Sequence, residues 1–451
     1  MTYLSILLIM VALIIIGIGL WAGLRAQKLI SKYYGKEIAK ELSVDASQEV
    51  KTIYDEEKTT GGIVIAESAL RSVFIFQVGK PPEDATLDAT IIGLRVIESL
   101  NGKKSGAIEE ILHNAKKRLP DFILSHLDSD YGGAKFHVKA YPMIYSCFYF
   151  INATKWLLGE DRRNPLGYQN LVQFTGRKRA EQFIKFIDNC KYELSDKLEA
   201  FAETPGEKMH DVGTITTGGA SRILYDLGPE ITTLMNFGKK ELQKIASFAN
   251  KCRIEIKPNG TDPYGFCNRL DSDQPETHST RHALALFDAL RKLEEFSELK
   301  WRMSHVLDAE GIAGFFKTCK KRDGFSRVVG EKPSIYYTDQ VICCRNYYPF
   351  NKDITAIRNL ITYEEILNIL KLQKSKVGYG FSTNSPPNIY ATRAAALLLV
   401  NIREIFAEDE RDVSAEEEIE SEIKNQILAF FDLKTGLAVG YRSIKAKDLM
   451  V

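Results

Sequence analysis

Tryptophan is scarce here, with three residues in 451, and the seven cysteines form no even, spaced framework. Net charge is nearly absent, since 60 basic residues face 59 acidic ones. Each shortage excludes a class. A disulfide-stapled secreted scaffold needs dense, paired cysteines. Binding of nucleic acid through bulk charge needs a basic surplus, so no nucleic acid is expected as a partner. Alternating strand runs are rare, which argues against an all-β fold. The chain has no phosphate-loop, nucleophile-elbow or HExxH motif, so nothing supports nucleotide binding or a Ser-His-Asp hydrolase.

What the chain does have begins at its first residues. Leu4 to Leu24 carry no charged side chain. As a helix at ~1.5 Å per residue, such a run covers the roughly 30 Å of a bilayer core. A cleaved leader would need a basic region first and a shorter apolar core. No basic residue precedes this run, and Arg25 follows it. Residues 1–24 are therefore expected to be a single-pass transmembrane anchor. Arg25, Lys28, Lys32, Lys36 and Lys40 follow, against one acid, Glu37. The positive-inside rule then puts the N-terminus outside and the C-terminal domain in the cytoplasm. Residues 25–62 read as a basic amphipathic stalk and a linker ending at Gly61-Gly62, and 63–451 as the globular domain.

That domain is rich in helical periodicity and contains repeats. Gly265-Phe266, Gly324-Phe325 and Gly380-Phe381 each lead into a polar loop, a proline (Pro275, Pro333, Pro387), a threonine and a helix. The threonines, Thr280, Thr338 and Thr392, recur at intervals of 58 and 54 residues, room for two helices and their connections. The glycines suit a tight turn. The phenylalanines suit a loop tucked onto a core. The prolines suit a helix start, where a missing N–H costs nothing. Weaker copies lie at Thr86–Thr90, at Tyr131-Gly132-Gly133 with the helix after it, and at Thr214–Leu224, while Phe431–Leu437 resembles a closing turn. The acidic span Glu408–Glu422 reads as a solvated helix start.

These copies resemble the prenyltransferase and squalene-oxidase repeat. It is shared by the β subunits of protein prenyltransferases and by class II terpenoid cyclases. The resemblance is strong over 260–400 and weak over 75–230. It implies an all-α fold, an α/α toroid of about six helix pairs, with inner helices around a central cavity. It also implies where catalytic groups would lie. Aligned on Gly265-Phe266, Arg269 and Ser279 keep the family residues. The zinc aspartate and cysteine fall at Pro275 and Thr277, and the zinc histidine falls at Ala391. The ligand set is thus replaced, and no metal and no cofactor are expected. The cyclase acid motif is incomplete at Asp128-Ser-Asp130 and at Asp271-Ser-Asp273.

Other constellations are weaker. Cys267, His278 and His282 have half of a zinc-finger spacing, but paired histidines are more often polar cavity residues. Lys317, Lys320, Lys321, Arg322 and Arg327 could meet a diphosphate, yet basic residues in a last helical turn also complement the helix dipole. The candidate site is the set of motif residues at the inner-helix N-termini, which the resemblance places at the cavity mouth. They are Arg269, His278, Ser279, Arg281, His282, Tyr336, Tyr337, Asp339, Gln340, Tyr390 and Arg393. Two readings follow. One is a binding module whose cavity takes a peptide, a lipid or another amphipathic ligand. The other is an enzyme acting on isoprenoid or other lipid substrates through a zinc-free site.

Overall fold

Small and apolar residues on every side, as at Ala394–Leu399, suit a helix packed all round. A single apolar stripe suits one packed on one side. The computed structural model sorts the helices this way. It describes residues 85–438 except 101–105, 139, 162–163, 207–211, 229, 236, 257–262, 297–306, 353, 376–377, 382–386 and 410–412. The expected anchor at 1–24 and stalk at 25–62 lie outside the described residues. Among the described residues no helix is long and apolar enough to cross a membrane.

In chain order, α1 (Leu87–Ser99), α2 (Gly106–Ser125), α3 (Ile144–Leu158), α4 (Tyr168–Thr175) and α5 (Arg177–Asn189) lead to β1 (Lys191–Ser195) and β2 (Leu198–Phe201). Next come α6 (Thr214–Leu227), α7 (Glu230–Leu234), α8 (Lys239–Lys251), β3 (Arg253–Glu255) and β4 (Tyr264–Phe266). They are followed by α9 (Thr277–Phe296), α10 (Ala309–Cys319), β5 (Lys320–Lys321), β6 (Gly324–Phe325) and α11 (Ile335–Cys343). The last elements are α12 (Thr355–Arg358), α13 (Tyr363–Leu372), β7 (Lys374–Ser375), β8 (Gly378–Tyr379), α14 (Ile389–Ile405), α15 (Val413–Leu428), β9 (Phe431–Asp432) and β10 (Leu437–Ala438).

Six of the helices close a ring. α1 packs on α3, α3 on α6, α6 on α9, α9 on α11, α11 on α14, and α14 returns to α1. Helices α2, α5, α8, α10, α13 and α15 alternate with them along the chain and bury one face each. Where strands form, they are two-stranded antiparallel hairpins between an outer helix and the next inner one. The last hairpin, β9–β10, returns to α1 and α2 and so joins the end of the ring to its start. The described chain is thus all-α, a toroid of six helix pairs. A buried ion pair, Lys155 to Asp226 at 2.8 Å, ties α3 to α6.

The repeated threonine is a clamp between hairpin and inner helix. Its hydroxyl accepts the backbone N–H of the hairpin's last strand. The pairs are Ala438 to Thr90 at 3.0 Å, Phe201 to Thr217 at 3.1 Å, Phe266 to Thr280 at 2.9 Å and Phe325 to Thr338 at 3.0 Å. In α3 the thiol of Cys147 takes the Ala134 N–H at 3.2 Å instead. Each such N–H is buried and would otherwise be orphaned, at a cost of about 1–3 kcal/mol.

Three expectations change. The third copy is registered on Gly378-Tyr379, not on Gly380-Phe381. The Asn388 N–H bonds the Tyr379 carbonyl at 3.0 Å, as Ser334 bonds Phe325 and Glu276 bonds Phe266. Tyr379 is fully buried and Phe381 only half-buried. Second, the prolines precede the N-cap instead of opening the helix. Ser334 and Asn388 are the caps, accepting N–H groups from Tyr336 and Ala391. The proline ring lies where the hairpin glycine has no side chain, so that a Cβ on Gly265 would meet Pro275 at 2.8 Å. Third, the acidic span is not simply solvated. Glu416 and Glu420 are buried against Arg403 of α14, at 2.7 and 2.6 Å.

Candidate functional site

In five of the six inner helices the clamp residue must face the backbone N–H it accepts, which fixes the rotation of those helices, and Thr392 holds the equivalent place in α14. Residues two before the clamp then come to one level of the ring: Asp88, Tyr145, Ile215, His278, Tyr336 and Tyr390. All except Asp88 are half-buried although they lie inside a closed ring of helices. The ring axis is therefore open to solvent at this level. One step along each helix come Phe148, Arg281, Asp339 and Arg393. The residues three before the clamp (Leu87, Ile144, Thr214, Thr277, Ile335, Ile389) are all fully buried.

The wall is hydrogen-bonded from helix to helix. The Tyr390 hydroxyl donates to Asp88 Oδ2 at 2.5 Å, joining α14 to α1. The Tyr336 hydroxyl meets His278 Nε2 at 3.0 Å, joining α11 to α9. His278 and His282, one turn apart, have their Nε2 atoms 3.0 Å apart. Arg281 reaches His282 Nε2 at 3.2 Å and the Tyr347 hydroxyl at 2.9 Å. Arg393 faces Asp339 at 3.9 Å, and the Cys343 thiol donates to Asp339 at 3.1 Å. Aromatic rings fill the remaining wall. Tyr145 stands edge-on to Tyr149 at 5.4 Å, and Phe381 edge-on to Tyr336 at 5.8 Å.

Burial dominates the titration of these groups. It pushes His278 down to about 3, assisted by the Arg281 and Arg327 charges, and it also lowers His282 well below the usual range. Both rings are neutral at pH 7. Burial raises the Asp88 carboxyl, against the hydrogen bond from Tyr390. It raises Cys343 to about 12, with the nearby Asp339 charge adding to the effect. Arg281 has no carboxylate within ion-pair distance among the described residues, and its Nε is buried without a hydrogen-bond partner.

Of the residues singled out from sequence, the ring brings together His278, Arg281, His282, Tyr336, Asp339, Tyr390 and Arg393. Tyr337 is half-buried beside Tyr336 at 5.4 Å. Arg269 lies in the loop after β4, 3.5 Å from Asp271. Ser279 occupies a buried slot and bonds Glu276, the residue just ahead of its helix, at 2.9 Å. Gln340 is buried next to Asp339. Cys267 is remote from the histidine pair in its bonding: its thiol goes to the Cys252 and Arg269 carbonyls. Among the described residues no group of three or more His, Cys, Asp or Glu side chains is placed to hold a metal ion. Thr277 spends its hydroxyl on the Ser326 carbonyl at 2.7 Å. The basic cluster is engaged locally: Lys320 pairs with Glu365, Lys321 with the Gly330 and Glu331 carbonyls, and Arg327 with Glu331.

Seven wall residues were not among the sequence-derived candidates: Asp88, Tyr145, Phe148, Tyr149, Cys343, Tyr347 and Phe381. The first two hold the same slot as His278 and were open to discovery by aligning the weak copies on Thr90 and Cys147.

The fold and wall together define an α/α-toroid protein with a polar, aromatic central cavity. No family model matches the chain, and no curated protein matches it. Among solved structures, protein geranylgeranyltransferase-I of Candida albicans, complexed with GGPP, is similar with a TM-score of 0.45 and 15% identity, covering 76% of this chain and 94% of that one.

Proposed function

We propose that the chain is a membrane-tethered binding module whose central cavity takes an amphipathic ligand, a lipid or a peptide. The observation that carries this reading is the wall. Tyr145, Phe148, Tyr149, Tyr336 and Phe381 stay half-exposed inside the ring with Arg281 among them. Exposed aromatic surface gains roughly 25 cal/mol per Å² when covered, and a few convergent polar groups orient what covers it. The Leu4–Leu24 run would tether the ring to a membrane, with the domain on the cytoplasmic side, close to amphipathic ligands. The test is the full-length protein purified from its host in a non-ionic amphipol, with bound small molecules identified by mass spectrometry. A stoichiometric amphiphile is expected, and it should be lost in Tyr336→Ala with Phe381→Ala. A cavity that yields nothing and takes up no added amphiphile would sink the reading.

One observation favours the second reading, an enzyme on isoprenoid or other lipid substrates. Asp88 is a buried wall carboxyl whose affinity for its proton is raised by burial, the condition a general acid needs near neutral pH. Conversion of a supplied isoprenoid by the wild type but not by Asp88→Asn is the expected signature. Equal turnover by both proteins would remove Asp88 from any such role.

A further inference from the structure

Helix α9 sets His278 and His282 one turn apart, with Arg281 beside them, and all three take part in one network at the wall. The donors fix its pattern. Arg281 can only donate, so the His282 Nε2 that receives it at 3.2 Å carries no proton. His278 Nε2–H then donates to the same atom across 3.0 Å and shares its proton with the Tyr336 oxygen, also 3.0 Å away. Two neutral imidazoles thus share one hydrogen bond next to a fixed positive charge. A further proton on the pair would sit beside the guanidinium, and nothing close by offsets it.

The surroundings account for this. From α3 come Tyr145 and Tyr149, and from α11 come Tyr336, Asp339 and Cys343, with Tyr347 just beyond. Arg327 approaches from the loop before α11, and Arg393 from α14. Asp339 is engaged by Arg393 and by the Cys343 thiol. Glu203, ahead of α6, accepts the Tyr145 N–H at 3.0 Å and the Thr216 hydroxyl at 2.9 Å. Glu276, at the head of α9, accepts from Ser279. At this level α6 brings Gly218 and Gly219, and β4 brings Phe266 against Phe287. The outer helix α8 brings Lys244, which is paired with Glu193. The charges that reach the pair among the described residues, Arg281 and Arg327, are positive, and of these Arg327 is paired with Glu331 while Arg281 has no carboxylate within ion-pair distance.

We propose that the cavity's ligand carries an anionic head group that settles on Arg281, and that the His278–His282 pair takes up one proton from solvent as it does so. The inference rests on reading the cavity as a binding site. An anion reverses the local field, so the pair that resists protonation in the empty ring accepts it in the filled one. Between the empty-state and filled-state titration points the complex holds one more proton than its parts. Affinity therefore rises as pH falls, by up to about tenfold per pH unit where uptake is complete. An uncharged amphiphile leaves the pair neutral and shows no such dependence.

The experiment is titration calorimetry on the full-length protein in a non-ionic amphipol. The probe is 1-octanesulfonate, whose head stays ionised from about pH 5 to 8, with 1-octanol as its uncharged counterpart. Binding heats are compared in two buffers of different ionisation enthalpy. The expected result is sulfonate binding with net proton uptake, at least about tenfold tighter at pH 5.5 than at pH 8, and octanol binding that ignores pH. His278→Gln and His282→Gln should each flatten the pH dependence while sulfonate still binds. Arg281→Gln should remove the preference for sulfonate over octanol. Sulfonate binding without proton uptake and with equal affinity at both pH values overturns the inference and leaves the cavity reading standing, as does binding unaffected by Arg281→Gln. Binding of neither probe by the folded protein overturns both. The wild-type buffer comparison decides the matter even where a variant fails to fold.

Discussion

Replacing Thr338 by valine removes one oxygen and keeps the side chain's shape. Thr338 is fully buried. Its hydroxyl accepts the Phe325 N–H at 3.0 Å and donates to the Ser334 carbonyl at 2.9 Å. The carbonyl keeps a partner in the variant, because the Thr338 backbone N–H also bonds it at 3.0 Å. The Phe325 N–H loses its acceptor inside the core. The expected loss is about 2 kcal/mol, the middle of the cost of an orphaned buried donor. With an unfolding entropy of ~2.1 cal/mol/K per residue over a ring of roughly 350 residues, the thermal midpoint should fall by about 3 °C. Thr338→Ser keeps the oxygen and loses a methyl group, worth about 0.8 kcal/mol and about 1 °C. Differential scanning calorimetry of the full-length protein measures both. Amide exchange read by mass spectrometry adds a local check, since β6 should open faster in the valine variant alone. If valine matches the wild type, or serine is as damaging as valine, the clamp does not hold the hairpin. If valine leaves the midpoint unchanged and abolishes amphiphile binding, the threonine belongs to the site instead.

Two further outcomes follow from buried charge. Arg403→Ala removes the cation that bridges buried Glu416 and Glu420, leaving Glu416 with the Tyr363 hydroxyl and Glu420 with Lys424, so it should cost about 3 kcal/mol in thermal melts at neutral pH, and an unchanged midpoint would contradict this. His126 is buried, and burial pushes it down to about 4 from its ordinary 6.5. The unfolded chain then binds the extra proton, so stability falls as pH drops below 6.5, by on the order of 2 kcal/mol near pH 5. His126→Gln should flatten that limb of the stability profile, and an unchanged acid limb would show that another group sets it.

The ring was legible because each strong repeat residue answers a separate physical demand. Glycine leaves room for the proline, the aromatic fills the core, and threonine clamps the strand. The weaker copies lost residues without losing the function of the slot. Cys147 performs the clamp with a thiol, so a search for threonine passes over α3. The third copy offers two adjacent glycine–aromatic pairs, Gly378-Tyr379 and Gly380-Phe381. Composition cannot choose between them; the Asn388-to-Tyr379 backbone bond does. Phe381, freed from the core, turns up on the cavity wall. The wall was half legible. His278, Tyr336 and Tyr390 announced themselves by repetition, while Tyr347 comes from a segment beyond the repeat. Charge pairing was the least legible part, because Arg403 reaches Glu416 and Glu420 only after α14 and α15 pack together.

The slots also explain how the chemistry of such a ring can change while the fold persists. Three positions before the clamp, every side chain is buried between helices, and at the clamp the side chains of Thr90, Cys147, Thr217, Thr280 and Thr338 each accept a backbone N–H from outside the helix. Substitutions there are tested by stability. Two positions before and one after come the side chains that line the axis, among them Tyr145, His278, Tyr336, Phe148, Arg281 and Arg393. Asp, Tyr, Ile and His all occupy the first of these positions, and Phe, Gly, Arg and Asp occupy the second. Pro275 covers Gly265, Thr277 is a buried packing residue bonded to Ser326, and Ala391 is buried on α14. Of the two arginines on the axis, Arg393 faces Asp339, while Arg281 has no carboxylate within ion-pair distance among the described residues.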